Sequence, residues 1–234
     1  MRGPWSIRTS PNTLPVSDGA FPDARTIGRV LGALSRRYDI DRFKRAHGDS
    51  PFRILIGCVL SLRTKDEVSF PATARLFARA ADPASMRRLR PATIEKLIYP
   101  CGFYRRKAVQ IRKISARLID TFEGRVPDTI DALLTLPGVG RKTANLVVTL
   151  GFGLPGICVD THVHRIVQRF GWLESPHPDA TEAALRTFLP ARWWIPINET
   201  LVRHGQEICH PVSPRCTTCP VRKACARRGV GISR

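Results

Sequence analysis

Leu136-Pro137-Gly138-Val139-Gly140-Arg141-Lys142-Thr143-Ala144 is the stretch on which the reading of this chain turns. Helical periodicity precedes it over residues 129–136 and resumes over 145–150. Two glycines separated by one apolar residue permit a tight turn at positive φ. Without side chains at Gly138 and Gly140, the backbone can approach another molecule closely. The N–H groups of the turn, and of the first turn of the next helix, then form an anion site suited to a phosphate. Val139 packs the hairpin and Arg141 adds charge at its rim. A plain helix corner with a glycine C-cap is the common alternative for two glycines alone. The complete string in a strongly basic helical chain favours the anion site.

Lys142 lies at the start of the second helix. The positive end of the helix dipole disfavours a second positive charge there, and partial burial would lower its pKa further. Helix stability explains such a lysine poorly. An amine nucleophile, which must be neutral to attack, explains it well; the alternative is a surface lysine reaching a phosphate. Asp160 opens Val159-Asp160-Thr161-His162-Val163-His164-Arg165 and reads as the N-cap of a further helix. A helix from residue 141 to 151 rises roughly 15 Å. The segment 152–159 spans up to about 26 Å when extended, enough to return Asp160 to the hairpin. A carboxylate there can stabilise a cationic centre and orient or deprotonate an amine.

The remainder of the chain sets the context. Its 234 residues suit one large domain or two lobes, and a hydrophobic content of 43% supports a real core. The formal net charge of +19 points to a polyanionic partner, nucleic acid or an anionic membrane surface, with a basic-leaning proteome or simple solubility as the alternative. The longest apolar run, residues 54–60, is too short to span a bilayer, and no apolar stretch follows Arg2 and Arg8 to make a secretory signal. Nucleic acid and an intracellular location are therefore expected. Residues 1–24, rich in Pro, Ser, Gly and Asn, read as a flexible extension. Beyond them helical spacing recurs in Ile27, Val30, Leu31 and Leu34, then over 52–62, 68–81, 92–98, 107–122, 163–170, 180–189 and 195–205, with no period-2 strand. The chain is expected to be all-α.

Four of the seven cysteines sit as Cys209-x6-Cys216-x2-Cys219-x5-Cys225. An intracellular location argues against disulfides. Four thiolates so close together fit either Zn²⁺ or an iron–sulfur cluster. His210 and Arg215 make the first loop a basic finger. Cys58, Cys101 and Cys158 stand in apolar contexts and read as packed thiols.

LPGVGRKTAN followed by VDTH, together with the cysteine spacing, resembles the endonuclease III family of helix-hairpin-helix DNA glycosylase/AP lyases over residues 24–225. The resemblance implies Lys142 as the Schiff-base nucleophile at C1′ and Asp160 as the essential carboxylate. It implies a [4Fe–4S] cluster on Cys209, Cys216, Cys219 and Cys225, and extrusion of the damaged nucleotide from the stack. It also implies two inserting loops. One carries Gly102-Phe103-Tyr104-Arg105-Arg106-Lys107, with Phe103 as an apolar wedge and a core aromatic as the alternative. The other carries Leu60-Ser61-Leu62-Arg63-Thr64, with Arg63 where the family usually has glutamine. Leu134 stands where some relatives carry a carboxylate, and His164 where an apolar or aromatic residue is common.

The combined expectation is a two-lobed helix-hairpin-helix glycosylase fold. Residues 51–157 form a helical barrel lobe with the hairpin; 25–50 and 158–234 form the cluster-bearing lobe. The DNA-contacting set is Arg63, Phe103, Tyr104, Arg105, Gly138, Val139, Gly140, Arg141, Thr143, His162 and Arg215, with His162 supporting the pocket and Trp193 and Trp194 in the core. The expected reaction is removal of oxidised or ring-saturated pyrimidines and β-elimination at the abasic site. The alternatives are a monofunctional mismatch glycosylase, which generally lacks a lysine at position 142, and a non-catalytic iron–sulfur DNA-binding or redox-sensing protein. The expected partner is double-stranded DNA with a damaged base or abasic site, met by a monomer with no membrane association. The expected setting is the cytoplasm or nucleoid of a bacterium or archaeon.

Overall fold

A computed structural model of the chain describes residues 21–234. The expected flexible extension falls outside the described residues up to residue 20. At its far end Phe21 is already fixed, its ring stacked on Phe188 at 4.4 Å. Among the described residues every regular element is helical, and no helix is long and apolar enough to cross a membrane.

The helices are α1 (Ala24–Ser35), α2 (Arg42–His47), α3 (Pro51–Ser61), α4 (Asp66–Arg79), α5 (Pro83–Arg88), α6 (Pro91–Ile98), α7 (Tyr104–Phe122), α8 (Ile130–Leu134), α9 (Arg141–Leu146), α10 (Thr161–Phe170), α11 (Pro178–Phe188) and α12 (Pro196–Glu207). Among the described residues they form two compact units, one of residues 41–156 and one of residues 21–40 plus 157–234. Residues 41–50, assigned from the sequence to the second lobe, go with the hairpin-bearing unit. There the His47 ring stacks on Phe43 at 4.1 Å, and a Cβ on Gly57 of α3 would overlap it.

The unit of residues 41–156 is built around α3. Pro51 occupies its first turn and the Ser50 side chain accepts from Arg53 N. Phe52 and every residue from Ile54 to Leu60 are buried, so α3 is apolar all round and packs among α2, α4, α7 and α9. α9 does not continue as a regular helix. It runs into a π-helical turn, Val147–Gly151, where Thr149 Oγ1 donates to Asn145 O at 2.8 Å.

The other unit packs α1, α10, α11 and α12. Ile27, Val30, Leu31 and Leu34 are buried on α1 as their spacing predicts, against Val163, Ile166, Val167 and Phe170 of α10 and Leu201 of α12. Trp193 and Trp194 are partly buried on this core.

Candidate active site

Within residues 41–156, α8 and α9 are joined by the glycine hairpin. Val139 N donates to Leu136 O at 3.1 Å, closing a β-turn with Pro137 and Gly138 at its centre. Gly138 has φ +70°, the conformation that the third residue of a type II turn requires. Gly140 differs from expectation. Its φ is −96°, accessible to any residue, and a Cβ there would meet open space. Gly140 is the N-cap of α9 and offers no side chain to the first-turn N–H groups. Val139 is buried in the core, as expected. The hairpin has a clamp that the sequence did not reveal: Gln110 of α7 donates through Nε2 to Pro137 O and Gly138 O, both at 3.1 Å. A side chain on Gly138 would strike that amide at 2.6 Å.

Behind the hairpin Arg141 is half-buried, Lys142 is exposed and Thr143 is buried. The partial burial of Lys142 considered from the sequence is therefore not found. Thr143 turns its side chain into the unit, leaving its backbone N–H for any contact. The Lys142 charge reaches the core of α3. Cys58 is pushed up to about 12 by complete burial, against a smaller pull downward from Lys142.

The two expected inserting loops meet. Arg63 follows α3 with φ 54°, and Phe103 precedes α7 with φ 58°. The Arg63 guanidinium carbon lies 5.6 Å from the centroid of the Phe103 ring. Phe103 is 53% exposed, so it is not a core aromatic. Tyr104 is partly buried on the core, with the guanidinium of exposed Arg105 at 5.5 Å from its ring centroid. Gly102 admits no side chain, since a Cβ would stand 2.6 Å from Arg63 O.

Lys107, the last of the basic triplet, points inward. Its Nζ donates to Leu60 O and Leu62 O, both at 2.7 Å, and to Thr64 Oγ1 at 2.9 Å. Thr64 Oγ1 in turn accepts from Gly102 N at 3.0 Å. Burial pushes the Lys107 pKa down. One buried ammonium thus caps the carbonyl end of α3 and fixes both loops.

In the other unit Asp160 caps α10. Its Oδ1 accepts from His162 N at 2.8 Å and Val163 N at 2.9 Å. His162 sits against Gly205, where a Cβ would overlap its ring, and faces Arg165 Nη2 at 3.1 Å. A guanidinium only donates, so His162 Nδ1 accepts and Nε2 carries the hydrogen. Arg165 Nη2 also donates to Cys209 O at 2.8 Å. Buried Arg169 donates from Nη1 to His210 O at 2.6 Å and from Nη2 to Pro211 O at 2.7 Å. One face of α10 therefore carries the capped carboxylate end, His162 and the anchors of the cysteine loop.

Cys209, Cys219 and Cys225 pack against one apolar core. The Cys225 thiol is pushed up to about 11, chiefly by burial, with added repulsion from Cys219, Cys209 and Cys216. Burial raises Cys219 in the same way, and Cys209 and Cys216 add to it. Sulfurs close enough for their charges to oppose the ionisation of Cys219 and Cys225 are a donor set that a bound cationic group would stabilise. Among the described residues no three His, Cys, Asp or Glu side chains are grouped as ligands of a metal ion. Arg215 is exposed on this loop. Cys58, Cys101 and Cys158 are buried at 3%, 1% and 2% exposure, as packed thiols should be.

Residues 56–191 match the family model described as "HhH-GPD superfamily base excision DNA repair protein". Endonuclease III of Thermotoga maritima is 45% identical over 196 residues, covering 82% of this chain and 92% of that protein. The chain belongs to the endonuclease III family. Endonuclease III homolog 1, chloroplastic, of Arabidopsis thaliana is 42% identical over 74% of this chain, which spans 48% of that protein's length. A trapped endonuclease III–DNA covalent intermediate superposes with a TM-score of 0.76 at 34% identity, covering 88% of this chain and 97% of that one. These relatives come from a bacterium and a plant alike.

In this endonuclease III family member, Gln110, Lys107, Thr64, Arg165 and Arg169 are the polar residues that sequence reasoning missed. For Lys107 a signal existed. It precedes the buried stripe Ala108, Ile111, Ile114, Ser115 and Leu118 of α7 and continues the same face. Arg165 and Arg169 are one helical turn apart, beside buried Ile166 and Phe170. Gln110 gave no signal, because its partners lie 27 and 28 residues away.

Proposed function

We propose that this chain is a bifunctional DNA glycosylase and AP lyase of base excision repair. It removes an oxidised or ring-saturated pyrimidine from duplex DNA and cleaves the resulting abasic site by β-elimination. The observation that carries the reading is Lys142, exposed in the first turn of α9 immediately behind a clamped glycine hairpin. The hairpin offers main-chain N–H groups and no side-chain cap to a DNA phosphate. The Lys142 amine attacks C1′ as the base departs, forming a C–N bond that becomes an iminium on loss of the ring oxygen bond. The iminium acidifies the C2′ proton. Removal of that proton expels the 3′ phosphate and cuts the strand.

Asp160 is the carboxylate for this chemistry. Its Oδ1 is held by two backbone N–H groups, which fix the carboxylate for a cation-like sugar. Phe103 and Arg63 are the side chains that fill the stack once the nucleotide is extruded. Cys209, Cys216, Cys219 and Cys225 would hold a [4Fe–4S] cluster. When bound, the cluster cross-links the loop and supplies a one-electron centre.

Borohydride trapping on abasic duplex tests the reading. The wild-type protein should become covalently attached to DNA. Lys142→Gln should give no adduct and no strand cleavage while still binding duplex. Undiminished trapping in that variant overturns the nucleophile assignment. Absence of trapping in the wild type leaves a monofunctional or non-catalytic binder.

A further inference from the structure

His204 of α12 is 1% exposed, and both of its ring nitrogens have partners. Nδ1 lies 3.0 Å from the Tyr38 hydroxyl, and Nε2 lies 3.8 Å from Cys219 Sγ. The rings of Tyr38 and Phe170 wall it in at centroid distances of 6.0 and 6.5 Å. Tyr38 follows α1 and is 7% exposed. A buried imidazole in an apolar wall is neutral, with one N–H and one lone pair. The sulfur decides which nitrogen holds the hydrogen. With Cys219 bound to iron its thiolate would only accept, so Nε2–H would point at Cys219, Nδ1 would accept and the phenol would donate. The chain of donors runs one way, Tyr38 to His204 to Cys219.

A second sulfur has a donor of its own. Arg169 Nη1 lies 3.3 Å from Cys209 Sγ, pinned by its bonds to two carbonyls of the same loop. Cys225 has the opposite polarity: its sulfur donates to Arg169 O at 3.3 Å when it carries a proton. Two of the four sulfurs are thus approached by side-chain donors from a buried layer.

We propose that Tyr38 and His204 form a hydrogen-bond relay that raises the reduction potential of a cluster held by Cys209, Cys216, Cys219 and Cys225. The inference rests on the cluster reading above. An N–H···S bond stabilises the more electron-rich reduced state, so its loss makes the potential more negative. The Tyr38 hydroxyl acts through His204 by polarising its ring. Both are positioning residues. A purely structural role would change stability and leave the cluster's electronics alone.

The test uses the full-length holoprotein. Iron content is measured first, and then the midpoint potential of wild type, Tyr38→Phe and His204→Leu. The expected result is full iron, a negative shift in both variants, and a larger shift in His204→Leu. Pulsed EPR of protein carrying ¹⁵N-histidine should show a nitrogen coupled to the paramagnetic cluster in wild type, and none from that site in His204→Leu. Wild-type potentials in both iron-loaded variants overturn the relay while leaving the cluster intact. A shift in His204→Leu alone removes Tyr38 from the relay. Wild-type protein without iron overturns the cluster reading itself. If His204→Leu does not retain iron, the Tyr38→Phe potential and the wild-type nitrogen coupling decide, because Tyr38→Phe removes only a hydroxyl.

Discussion

Arg63 and Phe103 both adopt positive φ, a conformation that costs a non-glycine residue on the order of 1–3 kcal/mol. Something must hold them there, and the buried Lys107 ammonium does so through Leu60 O, Leu62 O and Thr64 Oγ1. Lys107→Met keeps the stem and removes all three bonds. Unfolding by denaturant should show a loss of about 3 kcal/mol, since bonds from a charged donor are worth roughly 1.5–3 kcal/mol each and do not add fully. A loss below about 0.5 kcal/mol would show that the loops hold themselves. Asp160 combines capping and chemistry in one side chain. Asn caps about as well as Asp, so Asp160→Asn should unfold like wild type. Base removal and strand cleavage should each slow by about 10²–10⁴-fold if the charge serves the reaction. Near-wild-type turnover would leave the residue as a cap alone.

At the scale of elements the hairpin separates two glycines that look alike in the sequence. Gly138 needs its positive φ and has Gln110 against it. Gly140 needs neither. Gly138→Ala should therefore destabilise the unit of residues 41–156 by about 1–2 kcal/mol. Gly140→Ala should fold as wild type yet bind duplex DNA more weakly, because the new methyl stands where the phosphate approaches. Equal DNA affinity in Gly140→Ala would move the phosphate contact elsewhere. Much at this scale was legible beforehand. The apolar run of α3, the stripe of α1 and the turn at Leu136 follow from periodicity and from Pro-Gly chemistry. The parts that escaped were of another kind. α2 and α5 have six residues each and charged sequences, too short for a period to register. The π-helical turn after α9 has no periodic signature in its sequence. The Gln110 clamp joins residues far apart in sequence, and no local pattern encodes it.

At the scale of the molecule, a net charge of +19 is legible from composition but its use is not. Part of the basic content is internal. Lys107 and Arg169 are 4% and 7% exposed and spend their donors on backbone carbonyls, so neither can release a counterion from DNA. Arg105 and Arg215 are exposed and Arg141 half-buried, and these three are the proposed phosphate contacts. Each phosphate neutralised contributes about −0.9 to the slope of log affinity against log salt. Contacts by these three arginines alone therefore give a slope of about −3 on nonspecific duplex. Arg215→Ala should weaken binding to all sequences alike and lower the magnitude of the slope by about one. Arg63→Ala and Phe103→Ala should leave the nonspecific slope nearly unchanged while reducing base removal, because a wedge acts only after the nucleotide leaves the stack. Fluorescence anisotropy across a salt series, paired with single-turnover excision, separates the two classes. A slope near zero, or wedge variants that excise normally, would place the DNA contacts on residues other than these.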